Sequence, residues 1–202
     1  AIFPTPTIGV VGLIKDIDKR VPSCFQREGD SIWLVGETFN EIGGSHYLMI
    51  EHGLKKGLPP RLNLSTEKAL QDFILAAADE KKLVSCHDLS EGGLAVALAE
   101  CCLKSPLGLG AVIKTLGEIQ SHTPGLRGGA LYFGESQSRV LISVRKEDRG
   151  SVRQLAERFR TPIFEIGSVE GKSLVMENRI HISVGEIATI FHSVIPSAME
   201  KK

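Results

Sequence analysis

The chain has 202 residues, 42% of them hydrophobic, enough to bury a core as one domain or as one domain with a small appendage. Its 24 basic residues are matched by 24 acidic ones, so the basic excess that marks a nucleic-acid binder is missing and no nucleic-acid partner is expected. No apolar run approaches the roughly 20 residues that span a bilayer, and the first residues lack the charged region and cleavage site of a signal peptide, so no membrane partner is expected either.

Residues 1–14 (AIFPTPTIGVVGLI) read as a proline-punctuated loop running into an apolar strand at 8–13, with no local partner for that strand. A strand with nothing to pair against implies that its sheet lies in sequence outside this chain. We therefore expect a piece of a larger protein, and expect 8–13 to find no proper sheet here, leaving a pairing template for a second copy.

Residues 30–37 (DSIWLVGE) alternate and are rich in β-formers, predicting a strand. Gly43-Gly44-Ser45 then breaks the chain before a short helical stretch over 46–51, and a loop stiffened by Pro59 and Pro60 follows. Residues 66–82 are the clearest helix, with Leu70, Phe73, Ile74 and Ala77 on one face. A short strand is expected at 83–86, then a helix over 94–103 that is apolar nearly all round and so buried on two sides.

Of the four cysteines, Cys101 and Cys102 sit on that helix and read as core. With Cys24 and Cys86 they show no metal or CxxC spacing, which fits a reduced, cytoplasmic setting. A strand at 109–113 precedes the most loop-like stretch, 121–129 (SHTPGLRGG). Another strand ends the segment 133–144 (FGESQSRVLISV), and a helix follows with Val152, Leu155, Ala156 and Phe159 as its stripe. Strands at 163–169, 173–176 and near Ile180, and a closing helix presenting Ile187, Ile190 and Phe191, complete the pattern. Interleaved helices and turn-linked strand pairs predict α/β or α+β, a mixed β-sheet with packed helices.

Two motifs carry chemistry. In residues 86–100 (CHDLSEGGLAVALAE) a strand ends and a helix begins within a few residues, which aims free backbone N–H groups beyond the strand end. Gly92 and Gly93 would let a phosphate approach without a Cβ in the way, Ser90 could donate to it, and Asp88 is a hard oxygen ligand suited to Mg²⁺. The competing reading is a cap: Asp88 with Glu91 three residues on resembles a capping box, and Ser90 is an acceptable N-cap by itself. His87 beside a buried strand reads more readily as a hydrogen-bonded structural histidine. In the second motif, residues 134–139 (GESQSR), Glu135, Ser136 and Gln137 place a carboxylate, a hydroxyl and an amide at a strand mouth, where α/β sheets bind ligands. The alternative is a solvated turn. His122, His181 and His192 have no partner at ligand spacing.

Taken together, TPTIGVVGLI, GDSIWLVGET with EIGGSHYL, HDLSEGGLAVALAE and FGESQSRVLISV match in order and spacing, and resemble the last quarter of the synthetase subunits of the phosphoribosylformylglycinamidine synthase family. That family lies in the superfamily of aminoimidazole ribonucleotide synthetase and selenophosphate synthetase. The resemblance implies a fold like the C-terminal domain of aminoimidazole ribonucleotide synthetase over residues 21–202. Residues 1–20 would be the last strand and linker of the preceding nucleotide-binding half.

It also implies a cytoplasmic ATP-dependent ligase of purine biosynthesis. ATP phosphorylates the amide oxygen of formylglycinamide ribonucleotide, and ammonia from a glutaminase subunit displaces the phosphate. A small accessory subunit and the preceding halves of the chain would be the other partners. In long members of the family the aspartate of HDxSxGG binds Mg²⁺ and the serine contacts ATP or ADP at a second, non-turnover site. Those positions are Asp88 and Ser90, with Gly92 and Gly93 beside them. The first-repeat ESQ triplet contacts substrate, and Glu135, Ser136 and Gln137 match its letters. The family's catalytic histidine belongs to the halves missing here, so no residue is assigned as catalytic and the chain alone is expected to be inactive. The alternatives are a non-catalytic half with an auxiliary nucleotide site, and another ATP-dependent kinase of the superfamily. HDLSEGG paired with FGESQSR argues against the second.

Overall fold

Strand β1 (Ser31–Val35) is buried at every position because both faces of its sheet are covered. Ile32 and Leu34 enter one apolar core, Trp33 and Val35 the other, as the two-residue period of a strand requires. The computed structural model describes residues 7–200; the proline-punctuated start at 1–6 lies outside them.

Around β1 the sheet adds β2 (Ser85–Asp88), β3 (Ala111–Ile113), β4 (Val140–Val144), β5 (Ile163–Val169), β6 (Ser173–Met176) and β7 (Ile180–Ser183), in the order β2-β4-β1-β5-β3-β6-β7. Only the β3–β6 pair is parallel; the other pairs run antiparallel. The fold is therefore a mixed α/β sheet with packed helices.

On one face, α2 (Leu64–Asp79) and α6 (Arg149–Arg158) bury Leu70, Phe73, Val152 and Leu155 against Trp33. On the other, α3 (Gly93–Leu103), α4 (Gly117–His122) and α5 (Gly128–Phe133) supply Leu94, Leu98, Ile119 and Leu131. Two helices are peripheral: α1 (His46–His52) and α7 (Val184–Glu200). Helix α2 is started by Asn63, whose side-chain oxygen accepts from the N–H groups of Ser65 and Thr66. Helix α3 is apolar nearly all round, Glu100 apart, and is covered on several sides, with Cys101 and Cys102 in the core as expected.

The structure corrects several sequence expectations. The strand placed at 83–86 lies two residues later, at Ser85–Asp88. Lys81 turns the chain with φ 54°, and pairing with β4 from Ser85↔Ser143 to Asp88↔Val140 draws two polar residues into the ladder. The loop-like stretch 121–129 is flanked by two short helices that its composition hid. On the closing helix Ile187 is buried, but Ile190 and Phe191 are exposed. Residues 7–14 form no strand, and Ile8, Val10, Val11 and Leu13 are exposed, in line with an apolar segment that has no sheet to join.

Candidate functional site

The two motifs meet because β2 and β4 are neighbours. β2 delivers its following loop, 89–92, to the sheet edge where β4 receives the preceding loop, 134–139. The Leu89 N–H donates to the Arg139 carbonyl at 3.1 Å and continues the ladder past Asp88.

Glu135 closes the junction from the other side. Its Oε1 accepts from the Gly92 N–H and from the His46 N–H, each at 3.0 Å. One carboxylate thus ties the entrance of α3 to the first residue of α1. Tyr47 stacks on Phe133 with centroids 5.3 Å apart, which holds α1 against the end of α5.

Arg139 organises the second loop from inside. It is only 2% exposed, and its guanidinium donates to the Ser136 carbonyl (2.9 Å), the Thr38 hydroxyl (3.1 Å) and the Gly134 carbonyl (2.6 Å). Burial pushes its pKa down to about 10, partly opposed by Glu41 and Glu135, so it remains charged at neutral pH. Ser136 is fully buried and its hydroxyl accepts from the Phe39 N–H at 3.1 Å. Ser138, at φ 59°, donates to Glu67 of α2 at 2.7 Å. Gln137 is exposed, its side-chain amide donating to the Glu135 carbonyl.

The capping reading of the first motif does not survive. The N-cap of α3 is Gly92, in the left-handed region at φ 79°, and no side chain caps it. Ser90 donates instead to the Glu91 carboxylate at 2.6 Å, which with a backbone bond holds the Glu91 carboxyl below the usual range. The Asp88 side chain is 80% exposed, its oxygen 3.8 Å from the His87 ring. His87 matches the structural reading: nearly buried, its ring bridges the Asp88 carbonyl (2.6 Å) and the Glu100 carboxylate (2.9 Å).

Asp88, Ser90 and Glu91 thus form a ridge between two grooves, one of ≈ 340 Å³ shared with Glu67, Glu135 and Gln137, the other of ≈ 520 Å³ shared with His87, Glu100 and Lys104. The first groove is lined by carboxylates, and its one cation, Arg139, is already engaged by carbonyls. A bare phosphate would be repelled here. A phosphate bridged by a divalent cation would not.

For that cation Asp88 is a suitable single ligand. Among the described residues no group of three His, Cys, Asp or Glu could hold a metal alone. Mg²⁺ keeps waters and takes one or two carboxylates plus phosphate oxygens, so a single exposed carboxylate such as Asp88 is chemically sufficient as its protein ligand.

The fold brings Asp88, Ser90 and Glu135 of the two motifs to line one groove, a proximity that the sequence did not indicate. What the sequence reading missed is Arg139 and its partner Thr38; the arginine stood inside the motif, but nothing in its spacing marked it as buried. His122, which has no partner at ligand spacing in the sequence, meets Glu37 at 3.0 Å across the fold.

Residues 27–177 match the family model described as AIR synthase related protein, C-terminal domain. Phosphoribosylformylglycinamidine synthase subunit PurL of Moorella thermoacetica is 42% identical over 205 residues, covering 100% of this chain and 27% of that protein. Its counterpart in Anaeromyxobacter sp. strain Fw109-5 is 40% identical over 201 residues, covering 99% and 26%. The chain thus spans about a quarter of the length of the curated relatives it matches. The fold resembles that of T. maritima PurL complexed with FGAR, with a TM-score of 0.69 and 21% identity over 85% of this chain and 30% of that one. The T. maritima protein has also been solved complexed with ATP and with ADP.

Proposed function

This chain belongs to the AIR synthase related protein family through its C-terminal domain, and from that premise we propose that it is the closing quarter of a phosphoribosylformylglycinamidine synthase subunit. In this reading residues 21–202 are the second C-terminal-type half and residues 1–20 are the end of the half before it. The whole protein is an ATP-dependent ligase of purine biosynthesis, with a glutaminase subunit and a small accessory subunit as partners. A cytoplasmic setting is part of the same reading, since the spacing of the four cysteines suits free thiols. Among the described residues no helix is long and apolar enough to cross a membrane.

The role proposed for this half is to hold Mg²⁺–ATP or Mg²⁺–ADP at the acidic ridge. The observation that carries it is the exposed Asp88 carboxylate, free of any capping duty, at the end of β2 where the loop tied to Glu135 begins. Asp88 would ligate Mg²⁺ and Ser90 would donate to a phosphate oxygen. When bound, the metal would neutralise phosphate charge. Gly92 and Gly93 are expected from the sequence to allow close backbone approach of the nucleotide, but both N–H groups are already engaged, Gly92 by Glu135 and Gly93 by the Ser90 carbonyl. The Gly93 backbone also lies against Gly134. Of Glu135, Ser136 and Gln137, proposed as the substrate-contacting triplet, Gln137 is the member open to a ligand, while Ser136 is fully buried. The internal engagement of Glu135 and Ser136 favours, as a second reading, an auxiliary nucleotide site that stabilises the protein without turning over.

Calorimetry with Mg²⁺–ADP on the full-length protein tests the proposal. Asp88→Asn is expected to weaken binding by about tenfold or more, because it removes a formal charge from a hard-cation ligand. The melting temperature should not move, since the side chain caps nothing. Unchanged affinity would return Asp88 to the solvated surface.

The chain alone is expected to make no formylglycinamidine ribonucleotide and to hydrolyse no ATP. Its one buried histidine near the site is held between a carbonyl and a carboxylate, and no residue here is assigned as catalytic. Mg²⁺-dependent turnover by the 202-residue chain, abolished in His87→Ala, would refute this.

A further inference from the structure

Helix α7 carries one apolar arc along its length, and the domain covers only the beginning of it. At 3.6 residues per turn, Ile187, Ile190, Phe191, Val194, Ile195 and Met199 fall within about half of the helix circumference, with Thr189 and Ser193 on the other side. Ile187 is 8% exposed where α7 rests on α3 and β7, whereas the five that follow are between 55% and 72% exposed. The helix nevertheless continues past Pro196 to Glu200. A helix end that shows its apolar side to water gains little from propensity alone. The exposed part keeps the register of the buried part, so whatever covers it must continue the surface that α3 and β7 begin.

Two observations identify the occupant. Among its described residues, Val184–Glu200, helix α7 carries no Lys or Arg, so its exposed stretch lacks the cations that interfacial helices spread along their polar face; Lys201 and Lys202 follow it in the sequence. The relatives that match the whole of this chain are about four times as long, each having only 26–27% of its length aligned here. The apolar stretch at the other end of the chain, Ile8 to Ile14, is also uncovered, with Val11 99% and Leu13 98% exposed.

We propose that residues 190–199 of α7 are an intramolecular docking face, seated on a neutral apolar surface of the other three-quarters of a longer chain. This rests on the reading that the domain belongs to such a chain, and it adds which surface joins the parts. The same contact would orient the ridge at Asp88 relative to the rest of the protein.

The test is amide hydrogen exchange on the full-length protein, wild type against Ile195→Asp. In the wild type the amides of residues 191–199 should be protected. In the variant they should exchange about tenfold faster or more, as expected for a helix end released from packing. Equal exchange in the two proteins would overturn the proposal. So would protection that grows with protein concentration alongside a dimer in sedimentation, which would mean that a second copy covers the face. Should Ile195→Asp fail to fold, Ile195→Ala in the same measurement must still speed exchange, and no change there also overturns the inference. Nucleotide affinity and its response to Asp88→Asn are read separately. Loss of that response leaves the docking face standing, whereas a native protein of only 202 residues by mass would remove both readings together.

Discussion

Replacing Arg139 with methionine is expected to destabilise the domain by about 3–5 kcal/mol, although no water-exposed contact is lost. The guanidinium is 2% exposed and feeds the Ser136 carbonyl, the Gly134 carbonyl and the Thr38 hydroxyl. Methionine fills similar space but leaves both carbonyls without their donor, and an unmade buried hydrogen bond costs about 1–3 kcal/mol. It also removes the positive charge that faces Glu41 and Glu135. Lysine should recover little of the loss, because one ammonium cannot reach three acceptors that lie in the directions of a planar fork. Urea unfolding followed through Trp33, the single tryptophan and fully buried, measures this directly. A methionine variant within about 1 kcal/mol of wild type would mean that the loop is organised by something else.

Gly93→Ala should cost about 2–4 kcal/mol, the sum of a left-handed backbone and a forced overlap. At φ 62°, a Cβ there would stand 2.3 Å from the Gly134 carbonyl oxygen and 2.9 Å from the Phe133 carbonyl carbon, both backbone atoms that cannot swing aside. The two motif loops would have to separate, so nucleotide binding should fall with stability. Gly150→Ala provides the opposite sign in the same assay. It lies within α6 with nothing within 4 Å of the added methyl, and should stabilise by about 0.5–1 kcal/mol. If Gly93→Ala and Gly150→Ala behave alike, the close approach of the loops is not what demands glycine.

These two positions show where reading the chain stopped. Gly93 was legible as a residue that lets something come near a backbone, but what comes near is the protein's own Gly134. Asp88 and Ser90 were legible both as a cap and as ligands. Letters alone could not separate these, because an N-cap depends on the φ and ψ of the residues between, and Gly92 takes that place. Arg139 was visible but anonymous, since one of the groups that receive its guanidinium, Thr38, stands 101 positions away.

The sequence by itself determined most elements, because their signals are local: the stripe of α2, the nearly all-apolar α3, the alternation of β1, and the separate strands β5 and β6 at 163–169 and 173–176, but not that β3 would insert between those two. It also determined which four segments identify the family, since order and spacing are properties of the chain. Tertiary structure alone decided the extent of β2, where pairing with β4 carries His87 and Asp88 into a strand that their own preferences do not request. It decided that Glu135 is spent joining Gly92 to His46, and that Ile190 and Phe191 face water while Ile187 does not. The physical reason is the same in each case. Periodicity tells which side of an element is apolar, but only the neighbours that the fold brings alongside tell which stretch of that side is covered and which polar group is already satisfied.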